Sequence, residues 1–409
     1  MNTTLLTRIA VAVMALHIVD DSFLQPASGT GAGDHLVSGL VPLAALAVVA
    51  WAFPRLRAGA QATVALLLGP LAVALGAEAV NSWGAGGLSG DDFTGLLGIP
   101  AGLALVSVAA ATLWTSRRLD DSRYWRYPRR LLVTGAGLLG MVSVVGPLAL
   151  SYGFTHVARN DVAVANLGIA YERVALHTTD GLDLAGWYIP SRNGAAVIVY
   201  PGRGSAQKHA RYLSRRGYGV LLFDRRGEGA SEGDPHSFGW TFDKDIEAGV
   251  AFLKTRADVD RGRIGGLGLS VGGEMMLQTA AGTKDIAAVV ADGAGARVMS
   301  EELSDLDGIP TKTLNAPLYL VKTAALAVFS NHVPPKNLTE YIPRIAPRPI
   351  LLIHAAKGEV DNKTPEYLAA ARGPAEDWEV PKGGHTAGIR TMPDEYAHRV
   401  LDFFDRSLR

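Results

Sequence analysis

The chain contains no cysteine, which excludes disulfides, thiolate metal sites and a cysteine nucleophile at once. Charge is scarce as well. Charged residues make up 19% and apolar residues 48%, a drier balance than the roughly 25% charged of an ordinary soluble domain. Lys plus Arg and Asp plus Glu are equal at 39 each, so neither nucleic acid nor another polyanionic partner is indicated. The scarcity is uneven: residues 1–155 are rich in Ala, Leu, Gly and Val with few acids, whereas residues 156–409 read as a soluble α/β domain. Domains usually run roughly 100–200 residues, and two units are therefore expected.

Apolar runs recur at about residues 4–24, 36–53, 60–79, 94–115 and 131–152. Each approaches the ~20 residues that cross a bilayer as a helix. A soluble bundle would carry a polar stripe at helical spacing, and Val41–Trp51, Ala62–Leu75 and Ala101–Leu113 carry none. Arg8, Arg55, Arg57, Arg117, Arg118, Arg123, Arg126, Arg129 and Arg130 fall in alternate connections; the loops between them hold no Lys or Arg. By the positive-inside rule the amino terminus is cytoplasmic, and residue 156 onward is expected outside, in a multi-pass protein whose first partner is the lipid bilayer. The short stretch Ile9–Val19 also suits a signal peptide, but no small-x-small cleavage pattern follows, and the soluble unit faces outward on either reading. His17, Asp20, Asp21, Asp34, His35 and Glu78 gather towards the outer ends of spans. A His/carboxylate metal site is one option there; interfacial placement is preferred, and no metal or organic cofactor is expected.

From residue 171 the pattern alternates strand and helix. Arg173–Thr178 and Leu182–Pro190, joined through Asp180-Gly181, read as a hairpin. Strands are expected at 195–200, 219–223, 263–269, 287–291, 349–353 and 378–380, and helices at 206–216, 243–255, 272–281 and 395–407. Fully apolar strands alternating with helices imply a mostly parallel sheet covered on both faces. Residues 297–345 break the rhythm and read as an inserted cap, in which Ala316–Phe329, interrupted by Lys322, suits a lid or a membrane-apposed helix better than a sixth span.

Gly268-Leu269-Ser270-Val271-Gly272 is a G-x-S-x-G string. In a chain with 47 glycines the string alone says little. Its position, directly after an apolar strand and directly before a helix, is what a nucleophile elbow requires. A serine nucleophile needs a base and the base an orienting acid, in the order Ser, acid, His. His385 occupies a Gly-flanked loop after the last strand, where the base belongs; His354 ends a strand and reads as packing. Glu359 is the preferred acid, with Asp361 the alternative and Asp292 a third. Oxyanion donors are expected from the backbone of Val271 and of Arg203, in the loop Tyr200-Pro201-Gly202-Arg203-Gly204.

Over about residues 170–409 these stretches, with Phe223-Asp224-Arg225-Arg226-Gly227-Glu228-Gly229, resemble the α/β-hydrolase superfamily, in its serine aminopeptidase-like and dienelactone-hydrolase-like branch. The resemblance implies an α/β-hydrolase fold behind an all-α transmembrane bundle, and a Ser-acid-His triad. Two departures stand out: Pro201-Gly202 replaces the usual His-Gly, and Gly358-Glu359 stands where Gly-x-x-Asp is common. The expected activity is hydrolysis of an ester, thioester or amide, on a small-molecule or lipid-like acyl substrate. A peptidase, with Glu301, Glu302 or Asp305 receiving a peptide amine, is the alternative, and a non-catalytic binding module the third reading. The sequence leaves the oligomeric state open.

Overall fold

The computed structural model describes residues 2–85, 90–115, 131–132, 135–157, 167–201, 206–234, 238–356 and 363–409. The chain divides into two compact units. One comprises Met1–Asn160, Asp234–Phe238 and Gly308–Val333; the other comprises Asp161–Gly233, Gly239–Asp307 and Pro334–Arg409.

The first unit is helical. Five of its helices are long and apolar enough to cross a membrane: Thr3–Leu24, Ala32–Arg55, Ala58–Asn81, Phe93–Thr115 and Gly135–Thr155. Their outer faces carry large apolar side chains such as Val48, Trp51, Leu103 and Trp114, all exposed. An apolar surface so extensive is costly in water and ordinary against lipid. Packing inside the unit is close. The helix Gly98–Thr115 begins with Gly98-x-x-x-Gly102 and lies against the helix Ala58–Ala85. A Cβ on Gly98 would stand 2.4 Å from the Ala72 carbonyl oxygen, and one on Gly102 2.5 Å from that of Gly69. Small residues at these positions let the two backbones meet, the kind of close packing by which helices associate in lipid.

The expected cap is divided. Its long helix, Ile309–Ser330, belongs to the first unit, which is therefore not confined to residues 1–155. Phe329 meets the Tyr152 ring edge-on at 5.7 Å, and Ser151 Oγ donates to the Lys322 carbonyl at 3.1 Å. Asn331 Oδ1 accepts from the amides of both Val37 and Ser38 at 2.9 Å. It thereby caps the helix Leu36–Ala52, whose own N-cap residue offers no side-chain hydrogen bond. The helix is 22 residues long but is not among the five apolar enough to cross a membrane; one side of it packs among them. Residues 297–307 and 334–345 stay with the second unit.

In the second unit eight strands form one sheet: β1 Glu172–His177, β2 Asp183–Ile189, β3 Ala196–Tyr200, β4 Gly219–Phe223, β5 Ile264–Leu269, β6 Ala288–Asp292, β7 Ile350–Ala355 and β8 Ala375–Val380. Their order is β1-β2-β4-β3-β5-β6-β7-β8. β2 runs antiparallel to β1 and β4, and every other pairing is parallel. Successive strand residues point to opposite faces, and both faces are covered. Ile198 and Tyr200 join a core with Ile246, Met275 and Met276. Val197 and Val199 join another with Leu213, Val400 and Phe404. Two-sided burial explains why the central strands are continuously apolar rather than alternating.

Gly102→Val should lower the melting temperature of the detergent-purified chain, since overpacking costs about 1–3 kcal/mol. Leu103→Val, at a neighbouring position 60% exposed, should leave it unchanged. Equal melting of both variants would show that the backbone approach at Gly102 is not a constraint.

Candidate active site

Ser270 stands between β5 and the helix Val271–Gly282, at φ +55° and ψ −127°. A side chain at positive φ is rare and strained, and persists only where the surroundings over-determine it. Here they do. The Ser270 amide donates to the Asp292 carbonyl at 2.7 Å. The turn is so tight that a Cβ on Gly268 would lie 2.1 Å from the Gly272 carbonyl oxygen, and one on Gly272 2.6 Å from that of Tyr200. Both glycines of the G-x-S-x-G string are thus required by space. The result is a half-buried Ser270 side chain directed away from the strand.

His385 approaches from the loop after β8. A turn closed by the Ala387 amide on the Gly384 carbonyl, at 3.0 Å, shapes that loop. Its Nε2 lies 2.8 Å from Ser270 Oγ, within hydrogen-bond range. Residues 115 positions apart in the chain are thus brought together. Val271 is the first residue of its helix, and amides of the first turn have no acceptor within the helix. Arg203, Glu359 and Asp361 lie outside the described residues. Asp292 is buried and accepts from Tyr396 Oη at 2.9 Å. His354 pairs loosely with Asp377 at 3.7 Å.

One group near the serine was not singled out by the sequence. Glu274 follows Ser270 by one helical turn, and its amide donates to the Ser270 carbonyl at 3.3 Å. Its Oε1 accepts from the Gly295 amide at 3.2 Å. Burial pushes its pKa up to about 7, against the opposing pull of Arg297 and of the Gly295 N–H. The helical position i+4 was the available signal, since it puts residue 274 on the face of residue 270. Glu301, expected to meet a substrate amine, is buried with both oxygens engaged, accepting from the Arg297 amide at 2.8 Å and the Leu338 amide at 2.6 Å. Asp305 pairs with Lys363 at 2.6 Å.

The ionisable residues of the first unit form separate pairs. Thr94 bridges His17 and Asp20, at 3.2 and 2.9 Å. His35 Nε2 lies 3.0 Å from Thr30 Oγ1, and its Nδ1 lies 3.6 Å from Asp234. Tyr152 donates to Glu78. Among the described residues no three His, Asp or Glu gather as metal ligands would.

Residues 164–372, just over half the chain, match the X-Pro dipeptidyl-peptidase (S15) family. The chain belongs to that family. Among curated proteins it is similar to YfhR of Salmonella typhi, 28% identical over 249 residues that cover 56% of this chain and 79% of that one. It is also similar to the polyketide transferase grgF of a Penicillium species, 34% identical over 133 residues, 29% of this chain and 43% of that one. Of solved structures, the esterase Pf2001 of Pyrococcus furiosus shares the fold at a TM-score of 0.50 and 24% identity, over 61% of this chain and 98% of that one. The second unit of this S15-family chain is an α/β-hydrolase.

A raised carboxyl pKa stabilises the protonated fold. Glu274 therefore contributes most below about pH 4.5, and its contribution is lost as pH rises through about 7. Asp224, pushed up to about 6 by burial, acts in the same sense. Thermal melting of the wild type should fall by a few degrees between pH 5 and pH 8. Glu274→Gln should remove part of that slope and leave the Asp224 share. An unchanged slope would mean that Glu274 is already ionised at pH 5.

Proposed function

We propose that the chain is a membrane-anchored serine hydrolase that cleaves an ester, thioester or amide through an acyl-enzyme on Ser270. The observation that carries this reading is the 2.8 Å separation of Ser270 Oγ and His385 Nε2 on a strained strand-to-helix turn. His385 takes the hydroxyl proton as Ser270 Oγ attacks the carbonyl carbon. The oxyanion that forms is received by the Val271 amide, with Arg203 of the loop after β3 as the second donor. Collapse breaks the bond to the leaving group, which takes the proton back from His385. Water, deprotonated by the same imidazole, then attacks the acyl carbon and frees Ser270. Glu359, or Asp361 in its stead, holds the imidazole in the required tautomer and balances its charge. These steps call on side chains and backbone alone.

Five apolar helices support the anchor, and the arginine-bearing loops support an extracytoplasmic hydrolase unit. A lipid-like or cell-envelope acyl compound is the substrate class that such an anchored enzyme would meet. A second reading, cleavage of Xaa-Pro peptides, is favoured by the family to which residues 164–372 belong. It is not favoured by Glu301 or Asp305, which are engaged within the fold.

A membrane-impermeant fluorophosphonate should label intact cells carrying the wild type and not those carrying Ser270→Ala. With p-nitrophenyl esters, Ser270→Ala should lower kcat/KM by roughly 10⁴–10⁶-fold. Turnover of Xaa-Pro p-nitroanilides in preference to the esters would select the peptidase reading. Ester hydrolysis that survives Ser270→Ala would remove Ser270 from the mechanism, and labelling only after lysis would invert the topology.

A further inference from the structure

The helix Ile309–Ser330 is amphipathic in the wrong sense for water. A helix on a soluble protein turns its polar residues outward and covers its apolar ones. Here Ile309, Leu314 and Leu320 are 80%, 79% and 58% exposed, and Pro310, Pro317 and Ala324 are exposed with them. Pro310, Thr313, Pro317, Leu320 and Ala324 recur at the three- and four-residue steps of one helical face. Thr313, the polar member of that stripe, donates its hydroxyl to the Ile309 carbonyl at 2.9 Å. Thr311, in the first turn, is the other exposed polar residue. Lys312 and Lys322 are the only charged residues of the helix. Each follows a stripe residue by two positions, which places it round the far side, and both are half-buried. The Lys322 ammonium stands 6.0 Å from the centre of the Phe154 ring, within cation–π range. Asn315 is half-buried as well, and its amide donates to the Thr311 carbonyl at 2.9 Å.

The neighbours of the helix say what covers the stripe. It packs beside Gly146–Thr155 and Leu36–Ala52, through Phe329 on Tyr152 and Asn331 on Val37 and Ser38. Both neighbours belong to candidate spans whose outer faces are apolar and exposed, at Leu40 and Val48 on one and at Val142 and Leu150 on the other. The stripe continues that surface, so the medium that covers the spans covers it too. Mean apolarity keeps the helix out of the set of five spans, but the mean counts Lys312, Asn315 and Lys322, which the stripe does not contain. An acyl chain meets one face and not the average. The chain before Gly308 and after Val333 belongs to one compact unit, so the helix enters and leaves from the same side.

We infer that Ile309–Ser330 is a membrane element that does not cross: it lies in the bilayer against the spans, with the stripe from Pro310 to Ala324 facing lipid acyl chains. This rests on the reading of the first unit as a membrane anchor, and the test separates the two. Because the chain has no cysteine, single-cysteine variants report one place each. The full chain carrying Leu314→Cys or Leu320→Cys is labelled with the fluorophore NBD and reconstituted in phosphatidylcholine vesicles. Leu103→Cys, on a span, and Lys284→Cys, on the second unit, are the references, and all four positions are exposed. Phosphatidylcholine with a doxyl group on its acyl chain should quench positions 314, 320 and 103 roughly threefold more strongly than position 284, as contact with the acyl region requires. Aqueous iodide should reverse that order. Lipid quenching at 103 alone, with iodide reaching 314 and 320, would overturn the inference and leave the anchor standing. Shielding of 314 and 320 from both quenchers would overturn it too, since protein would then cover the stripe. Absence of lipid quenching at 103 would instead remove the anchor itself.

Discussion

The backbone of Ser270 is the constraint from which the second unit can be understood. A residue with a side chain sits where side chains rarely go, and the surrounding elements exist in the arrangement that keeps it there. β6 supplies the carbonyl that holds the Ser270 amide. The end of β3 presses so closely on Gly272 that no side chain fits between them. β5 must therefore lie between β3 and β6, as it does. Strain of this kind costs of order 1–3 kcal/mol, and a sheet buried on both faces has the packing energy to sustain it. Loosening any of the three strands would release the turn and move Oγ away from His385.

The same logic explains what could be read in the sequence. The strands and helices of residues 171–409 were legible because burial on both faces writes itself as unbroken apolar runs separated by Gly, Pro and Asp. Ser270 and His385 stand out in the sequence because each falls at a glycine-flanked junction, and the fold brings them within 2.8 Å. Glu274 was not, since a carboxylate in the first turn of a helix reads as a favourable partner for the helix dipole. Only the fold reveals that burial outweighs the dipole and brings its pKa near neutrality. Glu301 and Asp305 stand as candidates for a substrate amine only in the peptidase alternative, and the Leu338 amide and Lys363 ammonium that engage them are remote in sequence.

The helix Ile309–Ser330 marks a different limit. Its composition, apolar but broken by Lys322, suits a lid or a membrane-apposed helix alike. Sequence reports how apolar a face is, not which apolar face it will meet. The deciding residues are polar and remote: Asn331 reaches across to cap Leu36–Ala52, and Ser151 takes the carbonyl of Lys322 itself. Neither pairing has a periodicity that could announce it.

In the proposed reading, with the first unit in lipid and the second in water, the two units answer opposite solvents with the same residue. In the first, glycines at 98 and 102 bring helix backbones together, because in hydrocarbon there is no water to expel and only close contact is favourable. In the second, glycines at 268 and 272 clear space for one strained residue inside a core that water exclusion has already assembled. A substitution in the first pair acts over a whole helix interface and should be felt as stability. One in the second pair displaces a single oxygen by a fraction of an ångström, and if Ser270 is the nucleophile proposed above, such a displacement is felt as rate long before it is felt as unfolding.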